Sequence, residues 1–222
     1  MGPFTCVREA AVLVFVGRFN PALYQPRWLG KVGLLPEKDT EDAVISAIVP
    51  DFAGFKVGDW LSFECTPDRL QITTDKVENS LLLRDFAVSF FKVLEHTPVQ
   101  QAGINRAMHF RLSAADDRMQ LGKRLASPVE WPSLVEDPLM ISLTMQTKRH
   151  GSKNVLSVTV QPSKLAEIEQ PLGVFVTTNE NYVPEGDEEP STFIDRIGAD
   201  FEIAFPFGRD VATALLKGER HG

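Results

Sequence analysis

The sequence predicts an α+β protein in which helices cover a mostly antiparallel sheet. Apolar and polar residues alternate on both sides of a turn within Trp60–Asp75, and the stretch after Ser80 has apolar residues at helical spacing. Alternation places one side of a strand in a core and the other in water, as in antiparallel sheets. The 15 phenylalanines among 222 residues support this prediction, because burying so many rings requires a large core.

The first elements are less regular. An apolar run rich in valine predicts a strand over Ala11–Phe19, which Asn20-Pro21 ends. A helix is predicted over Leu23–Val32 and a second strand over Asp42–Val49. The two glycines within Asp51–Asp59 predict a loop.

Trp60–Asp75 predicts a β-hairpin. Leu61, Phe63 and Cys65 alternate with polar residues, and Pro67-Asp68 supplies the turn. The strongest helical pattern follows it, with Asn79 or Ser80 as the cap and Thr97-Pro98 as the end. Its apolar positions are Leu82, Leu83, Phe86, Ala87, Phe90, Val93 and Leu94.

The second half predicts a similar succession of elements. The predicted strands are one within Val99–Leu112, Met140–Lys148, Asn154–Gln161 and Leu172–Thr178. The predicted helices are Ala114–Leu125, capped by Ser113, and helical stretches over Thr192–Lys217 broken at Pro206-Phe207-Gly208.

Each half can therefore be interpreted as strand, helix, three strands, helix. This order suggests an internal duplication, with pseudo-repeats 8–97 and 98–217 inside a single domain spanning residues 1–222; chance similarity is the alternative. The order resembles that of the TATA-binding-protein saddle, and this likeness is one of topology that implies no function.

The formal net charge is −7, with an acidic run at Glu185, Asp187, Glu188 and Glu189. An acidic protein repels nucleic-acid phosphates, so we do not expect nucleic acid to be a partner. The apolar run Ala10–Val16 is shorter than the roughly 18 residues of a membrane span, and two cysteines are too few for a disulfide scaffold. We therefore expect a soluble, cytoplasmic protein without a membrane partner.

Motifs of common chemistry are absent from the sequence. It has no P-loop, no dinucleotide glycine fingerprint and no nucleophile elbow. None of the four histidines pairs with a second histidine or a cysteine at metal-ligand spacing. No cofactor and no metal are predicted, and we expect a protein that is not an enzyme.

Two local clusters are candidate binding sites. The first contains Arg18, Asn20 and Trp28, which offer a cation, an amide and an aromatic wall near the end of a strand. The structural alternative is that Asn20 ends the strand and Trp28 belongs to the core, and we favour it.

The second cluster contains Asn105, Arg106 and His109 on one predicted strand. Alternation puts Asn105 and His109 on one face and Arg106 on the other. His109 would act as an acid or base in a polar pocket. The alternative, which we favour, is that these are satisfied residues of the sheet, because no carboxylate lies in register to orient His109.

These segments also carry a family resemblance. The chain resembles a sporadically distributed family of bacterial proteins without an assigned activity, and the resemblance runs through most of its length. It implies a bacterial, cytoplasmic setting, and the sporadic distribution favours mobile-element or phage-defence systems. The residues that carry it are Gly17–Pro21, Gln25-Pro26-x-Trp28, His96-Thr97-Pro98, Gly103–Arg106 and His109-Phe110.

The leading hypothesis is a non-catalytic binding protein, an accessory subunit whose partner is another protein. Its acidic loops would contact a basic partner. The alternative is an enzyme or small-ligand sensor with a polar pocket between the halves, lined by the arginines, asparagines and histidine named above. A nucleic-acid saddle, suggested by topology alone, is the third hypothesis. The oligomeric state is left open.

Overall fold

A computed structural model describes residues 4–127, 129, 136 and 138–218 of the chain. The strands are β1 (Phe4–Gly17), β2 (Val44–Val49), β3 (Phe52–Val57), β4 (Leu61–Cys65), β5 (Arg69–Thr74), β6 (Val99–Leu112), β7 (Leu143–Thr147), β8 (Val155–Pro162) and β9 (Gly173–Tyr182). The helices are α1 (Pro26–Lys31), α2 (Glu37–Glu41), α3 (Ser80–Val93), α4 (Ala115–Leu125) and α5 (Pro190–Lys217), with 3-10 turns at Pro21–Leu23 and Val77–Asn79.

The described strands form one antiparallel sheet in the order β2-β3-β4-β5-β1-β6-β9-β8-β7, which confirms the α+β prediction. In each half, the first strand (β1 or β6) lies beside the last strand of that half (β5 or β9). The remaining strands follow towards the edge of the sheet in reverse sequence order. The first half contributes five strands and the second half four. The internal duplication stays a prediction.

Contacts divide the chain into two compact units. The first comprises the described parts of Met1–Glu9, Arg106–Asn179 and Phe207–Gly222, ranges that hold 13 Lys and Arg against 10 Asp and Glu in the sequence. The second comprises Ala10–Asn105 and Glu180–Pro206, with 10 basic against 20 acidic residues. Their net charges are therefore +3 and −10, and we call them the basic unit and the acidic unit.

The acidic unit has an aromatic core beneath α3. Phe63 on β4 stacks on Phe55 of β3 with ring centroids 4.7 Å apart, and meets Phe90 of α3 at 5.8 Å. Such pairs add to the free energy of burying the rings. The buried side of α3 is Leu83, Phe86, Ala87, Phe90 and Phe91. The predicted helix and the β4–β5 hairpin are both confirmed, although the Asn79 side chain makes no capping hydrogen bond.

The predicted loop over Asp51–Asp59 is wrong, because β3 occupies most of it. Ala53, Phe55 and Val57 are buried on one side of this strand. Gly54, which suggested a loop, is needed in the strand because a Cβ there would lie 2.6 Å from a carbon of the Phe52 ring.

Several boundaries also differ from the prediction. β1 begins at Phe4 instead of Ala11 and ends at Gly17. The predicted helix over Leu23–Val32 is reduced to the short α1, preceded by a 3-10 turn that begins at Pro21. Proline favours the first positions of a helix, because its missing N–H has no partner there in any case.

The predicted break in the last helix is also wrong, because α5 continues through Pro206. Apolar residues are buried on both sides of the proline, with Phe201 and Phe205 before it and Ala212 after it. Tertiary packing therefore outweighs the lost hydrogen bond. Gly208 is required for close packing, since a Cβ there would overlap Oγ1 of Thr178 on β9.

The basic unit has a smaller, mainly aliphatic core. Met108 and Phe110 of β6 and Val176 of β9 are buried with Ala212 of α5. The N-cap of α4 is Ala114 instead of the predicted Ser113, and the carboxylate of Asp117 accepts the Ala114 N–H at 3.0 Å. None of the helices in the described part of the chain has both the length and the apolar composition of a bilayer span.

Candidate functional site

The first predicted cluster does not form a pocket around its polar groups. Arg18 and Asn20 are exposed beyond the end of β1, where the Arg18 N–H donates to the carbonyl of Pro98 at 3.1 Å. Trp28 is half-buried, and its ring packs against Tyr24 and Phe90 at 6.0 and 6.1 Å. This environment agrees with the structural interpretation of Trp28 as a core residue.

The second cluster is divided between the two faces of β6, as alternation predicts. Arg106 is 6 % exposed on the helix-covered face, whereas Asn105 and His109 lie half-buried on the opposite face. The Asn105 amide donates to the carbonyls of Val12 at 3.3 Å and Gly103 at 3.1 Å. Since Arg106 and His109 point away from each other, they do not line one pocket.

Arg106 belongs to a buried ion cluster in the basic unit. Its Nε donates to Oε1 of Glu9, and Nη1 of Arg209 donates to Oε2 of the same carboxylate at 2.6 Å. The Glu9 and Arg106 side chains are 9 % and 7 % exposed, and Arg209 is half-exposed. Buried charges require such partners. Glu9 was missed at the sequence level, because the local pattern around a carboxylate gives no sign of partners that are distant in the sequence.

His109 is held in a defined orientation on the other face. Its Nδ1 lies 2.8 Å from Oγ of Ser163, which is 1 % exposed. The imidazole stacks on Phe175 of β9, with centroids 4.3 Å apart and planes at 29°. Ser163 is fixed in turn, because its Oγ accepts the backbone N–H of Leu165 at 3.1 Å and its carbonyl accepts the side-chain amide of Gln170 at 2.6 Å.

The surroundings of His109 favour the neutral form of its imidazole. Burial lowers the pKa of His109 below its ordinary value of 6.5, and the Arg8 guanidinium lowers it further against the opposing effect of Glu167. Arg8 and Glu167 form an exposed ion pair at 2.5 Å, and Arg111 donates to the Glu167 carbonyl at 2.6 Å. A neutral imidazole can exchange a hydrogen bond or a proton with a ligand.

This arrangement lacks the geometry of an activated nucleophile. Ser163 is buried, and its Oγ already serves the His109 ring and the Leu165 N–H. Nucleophilic catalysis needs a hydroxyl that can reach a substrate as well as a base. The His109 group is therefore better suited to holding the sheet and its adjoining loop together.

A shallow groove lies between α3 and α5 in the acidic unit, with a volume of about 330 Å³. Arg84 lines it but is bound to Asp85 at 2.6 Å and to Glu202 at 2.9 Å. Lys92 lies 3.8 Å from Asp195. Because both cations are paired with carboxylates, the groove presents no excess positive charge to an anionic ligand.

The most distinctive surface of the acidic unit is its carboxylate-rich exterior together with β2. Of its 20 acidic residues, 17 are exposed. The predicted acidic loop is ordered by Glu188, whose two carboxylate oxygens accept bonds from Arg196 at 3.0 and 2.7 Å. This bidentate pair lowers the pKa of Glu188. Glu185, Asp187 and Glu189 of the same loop are exposed.

β2 is an apolar strand at one end of the sheet order. Val44, Ile45 and Val49 are 69, 54 and 44 % exposed. In the sequence, this surface corresponds to an uncharged strand with carboxylates on both sides. Our sequence interpretation predicted the strand there but no binding surface.

No family model matches the chain, and no curated protein matches it. The family resemblance carried by the Gly17–Pro21 and Gly103–Arg106 segments therefore stays a prediction. Within the described residues, no three His, Cys, Asp or Glu side chains are grouped so as to hold a metal ion.

Proposed function

We propose that the chain is a non-catalytic binding protein, an accessory subunit that attaches to a basic partner protein through its acidic unit. The observation that carries this proposal is the unequal distribution of charge, −10 in the acidic unit and +3 in the basic unit. Complementary charge guides a partner to one surface and rejects partners of the same sign.

The exposure of the carboxylates supports the proposal. Most of them are available to a partner, whereas the charges of the basic unit include the buried Glu9 and Arg106. The loop with Asp187 and Glu189 is held in place by the Glu188–Arg196 pair, so these two carboxylates are presented in a fixed position. A fixed charge pattern loses less conformational entropy when a partner binds.

The predicted site residues have structural contacts and do not form a catalytic group, which is consistent with a non-catalytic protein. Trp28 packs in the core, Asn105 bonds two backbone carbonyls, and Arg106 is bound to Glu9. The setting implied by the family resemblance, a mobile-element or phage-defence assembly in a bacterium, is part of the same proposal.

The test is cross-linking of the tagged protein in cells of its source, followed by identification of the cross-linked residues. A stoichiometric basic partner should cross-link to the acidic unit. With the double variant Asp187→Lys and Glu189→Lys, recovery of the cross-linked partner should fall about tenfold, because each charge reversal converts an attraction into a repulsion.

The matched control reverses two exposed carboxylates of the basic unit, Glu169→Lys and Asp210→Lys. This variant has the same net charge and should keep the partner. Equal loss in both variants would show that only total charge matters, and a protein without a stoichiometric partner would overturn the proposal.

A further inference from the structure

The exposed strand β2 offers a second, more specific contact within the acidic unit. Four of its six residues are exposed, and in the described sheet β3 is its neighbour on one side only. Ile45 pairs with Phe55 and therefore lies on the helix-covered face, whereas Val44 pairs with Lys56 on the opposite face. An incoming strand would meet apolar side chains on both faces of the sheet.

The strand lacks the residue types that often protect a sheet edge. Lysine, proline and inward-pointing charges normally prevent unpaired edges from joining other chains. Val44–Val49 contains none of these residues. Its register changes between Ile45 and Ala47, which bends the strand locally and leaves four of its six residues exposed.

Carboxylates flank this apolar edge at both ends. Glu41 and Asp42 precede β2 and Asp51 follows it, and all three are exposed. An added strand would therefore place its own ends beside negative charge. Lysine or arginine at those ends would complement the carboxylates.

From this geometry we infer that β2 receives an extended segment of the partner protein as a further strand of the sheet, apolar in its middle and basic at both ends. The inference rests on the proposed function and adds the position and the mode of contact. Main-chain hydrogen bonds supply affinity in such strand addition, and the side chains supply specificity.

A second copy of the chain fits this edge less well. Antiparallel pairing of two β2 strands would bring Asp42 of one copy towards Asp51 of the other at both ends of the contact. Like charges placed opposite each other on paired strands are destabilising. The flanking carboxylates therefore favour a basic segment over self-association.

The test uses fluorescein-labelled peptides of alternating valine and threonine, with a pair of lysines at each end or a pair of glutamates at each end. Fluorescence anisotropy should show the lysine peptide binding the full chain about tenfold more tightly than the glutamate peptide. Hydrogen exchange of the β2 backbone amides should slow when the lysine peptide binds, because strand addition satisfies them.

Ile45→Lys should weaken binding of the lysine peptide by about tenfold. Leu82→Lys on α3 is the matched control, since Leu82 is 48 % exposed and the change in charge is the same; its affinity should change by less than about twofold. Equal weakening in both variants, or protection that appears away from β2, would overturn the inference.

Two further results separate the possible occupants. If light scattering detects a dimer of the wild type and a monomer of Ile45→Lys, the occupant of β2 is a second copy of the chain. The inferred partner segment would then be wrong. If Ile45→Lys keeps the cross-linked partner while Asp187→Lys with Glu189→Lys loses it, strand addition fails and the proposed function stands.

Discussion

The cores of the acidic unit and the basic unit differ in the chemistry that they bury. In the acidic unit, Phe63 contacts the rings of Tyr24, Phe55 and Phe90, so apolar rings fill the interior. In the basic unit, aliphatic side chains are accompanied by the carboxylate of Glu9 between two guanidinium groups. Ring packing depends on volume, whereas a buried ion cluster depends on the charge of each member.

The two units also differ in the charge that they expose. The acidic unit has the more strongly charged exterior and buries one carboxylate, Glu180, which is 2 % exposed. The basic unit has the smaller net charge and the buried cluster of Glu9 and Arg106. A change of volume should therefore be most damaging in the ring cluster of the acidic unit, and loss of a charge most damaging in the Glu9 cluster of the basic unit.

The largest effect is expected for Phe63→Ala. Phe63 is 0 % exposed, so truncation leaves a cavity among several rings and should lower the free energy of unfolding by about 3–5 kcal/mol. Urea denaturation measures this loss. Phe63→Leu retains more of the volume and should cost at least about 1 kcal/mol less than Phe63→Ala; similar losses for both variants would contradict a core that depends on volume.

A loss of about 3 kcal/mol is expected for Glu9→Gln. The substitution keeps the size of the side chain but removes the charge that Arg106 and Arg209 share. The control is Glu167→Gln, which breaks the exposed pair with Arg8 and should cost about 0–1 kcal/mol. Urea denaturation of both variants sharpens the comparison, and equal costs would show that the buried cluster is no more important than a surface pair.

The smallest effect concerns the pH dependence of stability. Burial and Arg8 lower the pKa of His109 in the folded state, so the unfolded chain binds more protons as the pH falls below the ordinary histidine value. The free energy of unfolding should therefore decrease as the pH falls from that value towards the lowered folded pKa, and should become level below it.

His109→Gln removes this contribution and should show a shallower decrease over the same interval. Urea denaturation of both proteins at a series of pH values from about 7.5 to about 5 provides the measurement. Parallel profiles would show that His109 titrates alike in the folded and unfolded chains.

The elements that could be predicted from the sequence are those with strict local periodicity. The β4–β5 hairpin and α3 have unbroken alternation or helical spacing, and both were found. β3 was missed because Gly54 indicates a loop, whereas the reason for this glycine is crowding by the Phe52 ring. The continuation of α5 through Pro206 depends on buried residues on both sides, which a local rule does not weigh.

The candidate site was predictable only in part for a similar reason. Alternation correctly assigned Arg106 and His109 to opposite faces of β6. The partners of Glu9, however, lie 97 and 200 residues away in the sequence. Likewise, the exposure of β2 follows from its place in the strand order, which its own residues do not specify.

The path of the chain through the two units has a consequence for synthesis on the ribosome. The chain crosses from one unit to the other between residues 9 and 10, 105 and 106, 179 and 180, and 206 and 207. Ala10–Asn105 emerges early but must wait for Glu180–Pro206 before its unit can close. The nascent chain therefore carries unfinished sheet edges through most of translation, a period in which chaperones would shield them.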